Sequence, residues 1–187
     1  QDLGVLENII IADVFCAQDS SIGSAIALAS FASECVLRFG SDELKQKFLP
    51  AVAEGEMLSA GAFTEPDHGS DITSLDTTAV RDGDEWVING TKTFITNGGK
   101  AGFYCTMCQT DDEVKPSYRG ISLILVEAER EGITATDIGD KMGIHMMATA
   151  EINYKDVRVP VSNIIGKEGK GFYQELEFFD ERRITVA

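Results

Sequence analysis

The chain has no long apolar run. Residues 9–12 place four apolar side chains in a row, and nothing approaches the roughly 20 that cross a bilayer. No basic stretch followed by an apolar one marks a signal peptide. The first residue is Gln1 rather than Met, which we read as a chain that has been processed, cut or only partly represented.

Positive charge is short as well. The 16 Lys plus Arg stand against 31 Asp plus Glu, a net charge of −15. Nucleic acid is thereby disfavoured as a partner, because affinity there rests on Lys and Arg neutralising phosphates. Anionic membrane surfaces are disfavoured for the same reason. Histidine is scarcer still: His68 and His145 lie far apart, each expected in a loop, so no Ser/His/Asp set can be defended.

Cysteine is limited to four residues: Cys16, Cys35, Cys105 and Cys108. The Cys105-Thr-Met-Cys108 spacing suits a redox or zinc site, yet its surroundings read as a strand. Positions three apart on a strand point to opposite faces, so the two sulfurs should diverge. We therefore expect reduced, packed thiols in an intracellular protein and no metal site.

What remains is the composition of a globular protein, 43% hydrophobic and 25% charged. Residues 1–56 read as helical. Leu3, Leu6, Ile10 and Val14, with Ile11 and Phe15, recur at spacings of three and four. Asp19-Ser20-Ser21 should end that helix and cap a second one, which carries Ile22, Ala25, Ile26, Ala29, Val36 and Leu37 and stops at Gly40. Its many small residues suggest close packing on a neighbour or the wall of a narrow cavity. Ser41 should cap a third stretch, interrupted at Pro50 and closed at Gly55.

From Met57 the apolar period changes to two. Strands are expected over 58–63, 77–81, 85–88, 91–96, 103–110, 121–127 and 150–159. Asp82-Gly83 and Asn89-Gly90 read as hairpin turns that make three consecutive strands a meander. The expected fold class is α+β, with N-terminal helices followed by an antiparallel β-barrel or sandwich and the first part of a C-terminal helix. The expected division is 1–56, 57–165 and 166–187. The last helix, with Phe172, Leu176 and Phe179, reads as cut off in mid-pattern at Ala187.

Residues 166–171, Gly-Lys-Glu-Gly-Lys-Gly, precede that helix but match neither the dinucleotide nor the P-loop spacing. A plain helix-entry turn is the better reading. Composition and spacing carry the functional argument no further.

Two motifs carry it on by resemblance. Phe63-Thr-Glu-Pro-Asp-His-Gly-Ser-Asp71, followed by Trp86-Val-Ile-Asn-Gly-Thr-Lys-Thr-Phe-Ile-Thr-Asn-Gly98, closely resembles the two flavin-contacting signatures of the acyl-CoA dehydrogenase family. Further matches stand at Asp19-Ser-Ser, Lys141-Met-Gly143, Asp156-Val-Arg-Val-Pro160, Asn163-Ile-Ile-Gly166 and Phe179-Asp-Glu-Arg-Arg183. The similarity runs along essentially the whole chain.

The resemblance implies FAD between the β domain and C-terminal helices, an acyl-CoA substrate, an electron-transfer flavoprotein as partner and a homotetramer. It implies a cytoplasmic location, or the mitochondrial matrix in a eukaryote. Ala62, Phe63 and Thr64 would meet the flavin pyrimidine edge, with Gly69 and Ser70 following in the same motif. Ser70 would lie near both the flavin phosphates and the pantetheine arm. Phe94, Ile95 and Thr96 would contact the flavin, Phe94 by packing on the ring and Thr96 by hydrogen-bonding its reactive nitrogen. Asp180 and Arg183 would face substrate, Arg183 toward the CoA portion.

The reaction so implied is α,β-dehydrogenation of the thioester, with a carboxylate base expected beyond the end of this chain. Some members carry a glutamate base where Arg182 stands, so no catalytic base is assigned here. Gly23 occupies the place of an arginine used for glutaryl-CoA, which disfavours a dicarboxylyl substrate. The isolated chain is expected to hold FAD weakly at most and not to turn over. Two alternatives stay open: a non-catalytic binding or assembly module, and an oxidase or flavin monooxygenase of the same fold.

Overall fold

The computed structural model describes residues 4–186, apart from the side chains of Glu181, Thr185 and Val186. Leu3 and Ala187, both named above, lie outside the described residues. Four helices come first: α1 (Val5–Gln18), α2 (Ser20–Ala27), α3 (Ser33–Phe39) and α4 (Asp42–Ala53). Asp19 separates the first pair as expected, its carboxylate accepting from the amides of Ser21 and Ile22 at 2.8 and 2.9 Å. These are orphan donors of the first turn.

The single second helix expected from residue 22 to 37 is instead α2 and α3, broken over residues 28–32. The cause lies in the sheet. The Asn97 side chain donates to the Leu28 carbonyl at 2.8 Å, and the Ser59 amide donates to the Ala29 carbonyl at 3.2 Å. Ala29 gives its carbonyl to the sheet and Leu28 keeps only a turn bond from the Phe31 amide, so neither carbonyl serves an α-helical ladder. Pro50 does not interrupt α4; it is exposed, and a proline there forfeits one amide bond while the helix runs on to Ala53.

Seven strands follow: β1 (Ser59–Ala62), β2 (Thr78–Asp82), β3 (Glu85–Thr96), β4 (Phe103–Gln109), β5 (Ile121–Glu127), β6 (Ile133–Asp137) and β7 (Thr149–Pro160). They curl into a half-barrel in the order β1-β4-β2-β3-β7-β6, with β5 also on β4. The α+β class holds, but the sheet is mixed and not wholly antiparallel. β1 runs parallel to β4 from Ser59↔Phe103 to Ala62↔Thr106, and β2 meets β4 in parallel at Thr78↔Gln109. A parallel pair needs a long connection, supplied here by the excursion through β2 and β3.

Asp82-Gly83 is the expected hairpin, with Asp82 opposite Glu85 and Gly83 at φ 62°. Asn89-Gly90 is not a turn. β3 passes straight through it and pairs with β7 on both sides, with a register shift between Ile88 and Gly90. Gly90 sits at φ 148°, and a Cβ there would fall 2.4 Å from Thr77 Oγ1. The glycine serves a close approach of Thr77, so the expected meander is a two-strand hairpin.

β4 is buried on both faces. Tyr104 and Cys108 fill the half-barrel, while Phe103, Cys105 and Met107 pack against the helices. The two cysteines therefore point apart, and all four thiols are free. The last helix, α5 (Gly171–Val186), buries Phe178 completely, its ring 5.2 Å from Phe31 and 6.1 Å from Phe63. Of its expected stripe, Phe172 stacks 4.9 Å from Tyr118 and Phe179 lies 5.8 Å from Phe63. Leu176 stays partly exposed. Arg182 pairs with Glu34 and so ties α5 to α3. On α1, Leu6, Ile10, Val14 and Phe15 remain exposed.

Candidate functional site

The chain leaving β1 through Phe63, Thr64 and Glu65 meets the later part of β3. The Thr93 amide donates to the Thr64 carbonyl at 2.9 Å. The Lys92 ammonium donates to the Phe63 carbonyl at 3.1 Å and to Glu65 Oε1 at 2.8 Å. Glu65 also accepts from the amides of Asp76 (2.6 Å) and Thr77 (2.9 Å), which closes the base of the intervening loop. Both side chains are almost wholly buried, at 0% and 1% exposure.

Burial works against both charges in this pair. It pulls Lys92 below its ordinary pKa, with Glu65 opposing. Burial likewise raises Glu65, but Lys92 and the donors from Thr77 and Asp76 outweigh it and hold the carboxyl below its usual range.

Immediately after Lys92 the strand bulges. Lys92 pairs with Ile152 and Ile95 with Ala150, so Thr93 and Phe94 together face Glu151 alone. Phe94 adopts φ 55° and is 68% exposed, a costly conformation for a large side chain. The bulge turns its ring out of the sheet. Ile95 returns to the core at 2% exposure, which leaves only its main chain to a ligand. Thr96 is half-buried.

Between this junction and α5 lies a cavity of about 310 Å³ lined by Phe63, Thr64, Gly69, Ser70, Phe179 and Arg183, with Glu175 among its remaining walls. Five of the site residues expected from the resemblance thus share one space, Phe63, Thr64, Gly69, Ser70 and Arg183, with Phe172, Leu176 and Phe179 of the expected helix stripe beside them. Ala62 lies in the core, and Asp180 is exposed and outside the lining. Burial lifts the Glu175 carboxyl to about 7, with Arg183 pulling weakly the other way.

A smaller cavity of about 210 Å³ separates α1, α2 and α5. Gly23 forms part of it and packs so closely on α1 that a Cβ would lie 2.6 Å from the Cys16 amide nitrogen. Close packing and a narrow cavity, offered as alternatives for the small residues, thus occur together. Residues 166–171 form a helix entry, Gly169 donating its amide to Ser122 Oγ at 2.9 Å. Glu65, His68 and Asp76 are the one group of potential metal ligands among the described residues, but both Glu65 oxygens already accept hydrogen bonds.

Sequence reasoning missed Glu65, Lys92 and Glu175. A signal for Lys92 was present: Trp86, Ile88, Gly90 and Lys92 share one parity, and the first two face the core. A lysine on that face needs a partner.

The arrangement fits a flat aromatic cofactor. Phe94 presents an apolar ring to solvent at the cost of backbone strain. Thr64 and Thr96 carry hydroxyls with no hydrogen bond to another side chain or backbone group among the described residues.

The chain matches the family models "Acyl-CoA dehydrogenase, N-terminal domain" over residues 1–56 and "Acyl-CoA dehydrogenase, middle domain" over residues 60–157. It is 38% identical to acryloyl-CoA reductase (NADH) of Anaerotignum propionicum, across 98% of this chain and 47% of that protein. The crystal structure of acyl-CoA dehydrogenase from Geobacillus kaustophilus superposes with a TM-score of 0.91 at 40% identity, covering 96% of this chain and 47% of the other. A chain in the structure of the electron transferring flavoprotein of Acidaminococcus fermentans gives 0.93 at 37% identity, covering 100% and 49%. The chain therefore spans about half the length of the relatives it matches.

Proposed function

The chain belongs to the acyl-CoA dehydrogenase family, and on that premise we propose that it forms the FAD-contacting face and part of the acyl-CoA-facing wall of an α,β-dehydrogenase of acyl-CoA thioesters. The observation that supports this most directly is the junction at Thr64 and Thr93, which joins the two flavin-signature segments beside a cavity. When bound, FAD supplies the acceptor for the hydride that leaves the β carbon.

The chain's own residues then have distinct tasks. Phe94 offers a ring face to the cofactor. Thr64 and Thr96 offer hydroxyl donors at its edge, where negative charge grows during reduction. Phe63 and Phe179 exclude water from the cavity, and Ser70 and Arg183 present a hydroxyl and a cation to the anionic CoA portion. Arg182, already paired with Glu34, stands where some family members carry a glutamate base. We assign removal of the α proton to no carboxylate of this chain.

The similarity to an acryloyl-CoA reductase (NADH) favours a second reading, the same site run in the reducing direction. Both directions need the same alignment of flavin and thioester. Electron-transfer flavoprotein as acceptor, assembly as a homotetramer, and a cytoplasmic or mitochondrial matrix location belong to the proposal. Among the described residues, no helix is long and apolar enough to cross a membrane.

The test is an NMR titration of the chain with FAD, which reads weak binding and its location together. The amides of Thr64, Ser70, Phe94 and Thr96 should shift along one saturating curve. Saturable shifts confined to the far edge of the sheet at β6 would sink the reading.

A further inference from the structure

The geometry points to Glu65 and Lys92 as positioning residues for the flavin site: one buried ion pair sets the relative placement of the three segments that carry Thr64, Ser70 and Phe94. The inference rests on the proposed FAD-binding role and adds to it a device that neither sequence motif reveals.

The Lys92 ammonium reaches two points on the chain leaving β1, the Phe63 carbonyl at 3.1 Å and Glu65 Oε1 at 2.8 Å. These contacts flank Thr64 on both sides. The Thr64 carbonyl itself is taken by the Thr93 amide at 2.9 Å, so three consecutive residues are tied to two consecutive residues of β3. The second carboxylate oxygen, Oε2, accepts from the Asp76 amide at 2.6 Å, while Oε1 also accepts from the Thr77 amide at 2.9 Å. One carboxylate thus closes the base of the loop from residue 66 to 75, on which Gly69 and Ser70 ride. Lys92 is also the last regular pairing partner before the bulge, opposite Ile152, so holding it fixes where Phe94 is thrown outward.

A simpler scaffold could have filled this space with apolar groups. Replacing a buried ion pair by well-packed neutral residues is often neutral or stabilising, whereas removing one partner strands a buried charge. Stability alone therefore does not account for an ammonium at 0% exposure. Direction does: an ammonium and a carboxylate fix hydrogen-bond partners at set distances, while an apolar contact would let the two segments slide.

The experiment uses this contrast. Glu65→Gln and Lys92→Met are made singly and together in the full chain, and each protein is followed by urea unfolding and by NMR titration with FAD. Each single variant should lower the unfolding midpoint, and the double variant should recover most of it. FAD affinity should not recover: the double variant should bind about 10- to 100-fold more weakly than the parent, the scale on which supporting contacts and small misplacements act. Its Phe94 and Thr96 amides should lose their FAD-dependent shifts. A double variant that regains both stability and affinity overturns the inference and leaves the FAD reading standing. Saturable FAD shifts of the parent that leave Thr64, Ser70 and Phe94 unmoved overturn both.

Should the double variant fail to fold, hydrogen exchange on the parent decides. FAD should raise protection of the Asp76 and Thr77 amides, which bond to Glu65 and do not line the cavity. Protection gained only at Thr64 and Ser70 would refute the coupling.

Discussion

The Thr93 amide donates to the Thr64 carbonyl at 2.9 Å, where β3 has slipped out of register with β7. A bulge normally leaves a ladder amide without its strand partner. Here the donor is satisfied by the segment leaving β1, and the residue after it, Phe94, is left at φ 55° with its ring exposed. The strain at Phe94 and the junction of the two motifs are thus one structural event.

That coupling predicts a trade between stability and binding. Asparagine tolerates the left-handed region far better than phenylalanine, so Phe94→Asn should raise stability by about 1 kcal/mol in urea unfolding. The same change should weaken FAD binding, because the ring face is gone. A variant that is no more stable, or that binds FAD as the parent does, would contradict the assignment of this strain to the site.

The contrast between two glycines tests the account of β3. An alanine Cβ at Gly90 would lie 2.4 Å from Thr77 Oγ1 and 2.6 Å from Thr77 Cα, and backbone cannot step aside cheaply. At Gly83, φ 62°, nothing lies within 4 Å. Gly83→Ala should therefore cost about 1 kcal/mol from backbone strain alone, and Gly90→Ala about 2–4 kcal/mol with overpacking added. Equal costs in chemical denaturation would mean that close approach is not what keeps Gly90.

The same two positions explain how much of the fold was legible in the sequence. Asp82-Gly83 reads correctly because its turn is local. Asn89-Gly90 misleads because its glycine answers to Thr77, far away in the chain. The break between α2 and α3 was hidden for a similar reason, since Asn97 and Ser59 draw off the carbonyls of Leu28 and Ala29. Parallel pairing of β1 with β4 leaves no local mark either. At the site, the two motifs and the further matches were legible by resemblance, and six of their residues line one cavity. The pairing of Glu65 with Lys92 was not, because a carboxylate in a row of loop residues does not announce its partner.

Glu175 gives the molecule a pH dependence of definite sign. Its carboxyl stands at about 7 in the fold, against an ordinary 4.5, mainly because burial disfavours the charged form. The folded state therefore holds the proton more tightly than the unfolded chain. Its contribution is fully present below about pH 4.5 and is lost as pH rises through 7, by up to about 3 kcal/mol. Glu175→Gln should remove this slope, matching the parent near pH 4 and exceeding it near pH 8. Parallel stability curves for the two proteins across that range would refute the burial of the Glu175 carboxyl as the source of this shift.

Arg183 bears on the largest electrostatic obstacle the chain faces. A protein with a net charge of −15 repels a phosphate-bearing ligand at long range, so binding must be organised by local cations. Arg183 is exposed at the mouth of the cavity that holds Ser70 and Thr64. An exposed guanidinium acts through screened Coulomb attraction, which weakens within about 10 Å at 0.1 M salt. Arg183→Gln should thus lower the affinity for free CoA at low ionic strength by about tenfold, equivalent to about 1.4 kcal/mol. The difference between variant and parent should shrink as salt is added, because screening removes what the mutation removed. Far-ultraviolet circular dichroism should be unchanged, since the side chain makes no hydrogen bond or ion pair among the described residues that α5 would lose. A salt-independent difference would place the effect in packing, and equal CoA affinity at low salt would remove Arg183 from the substrate-facing wall.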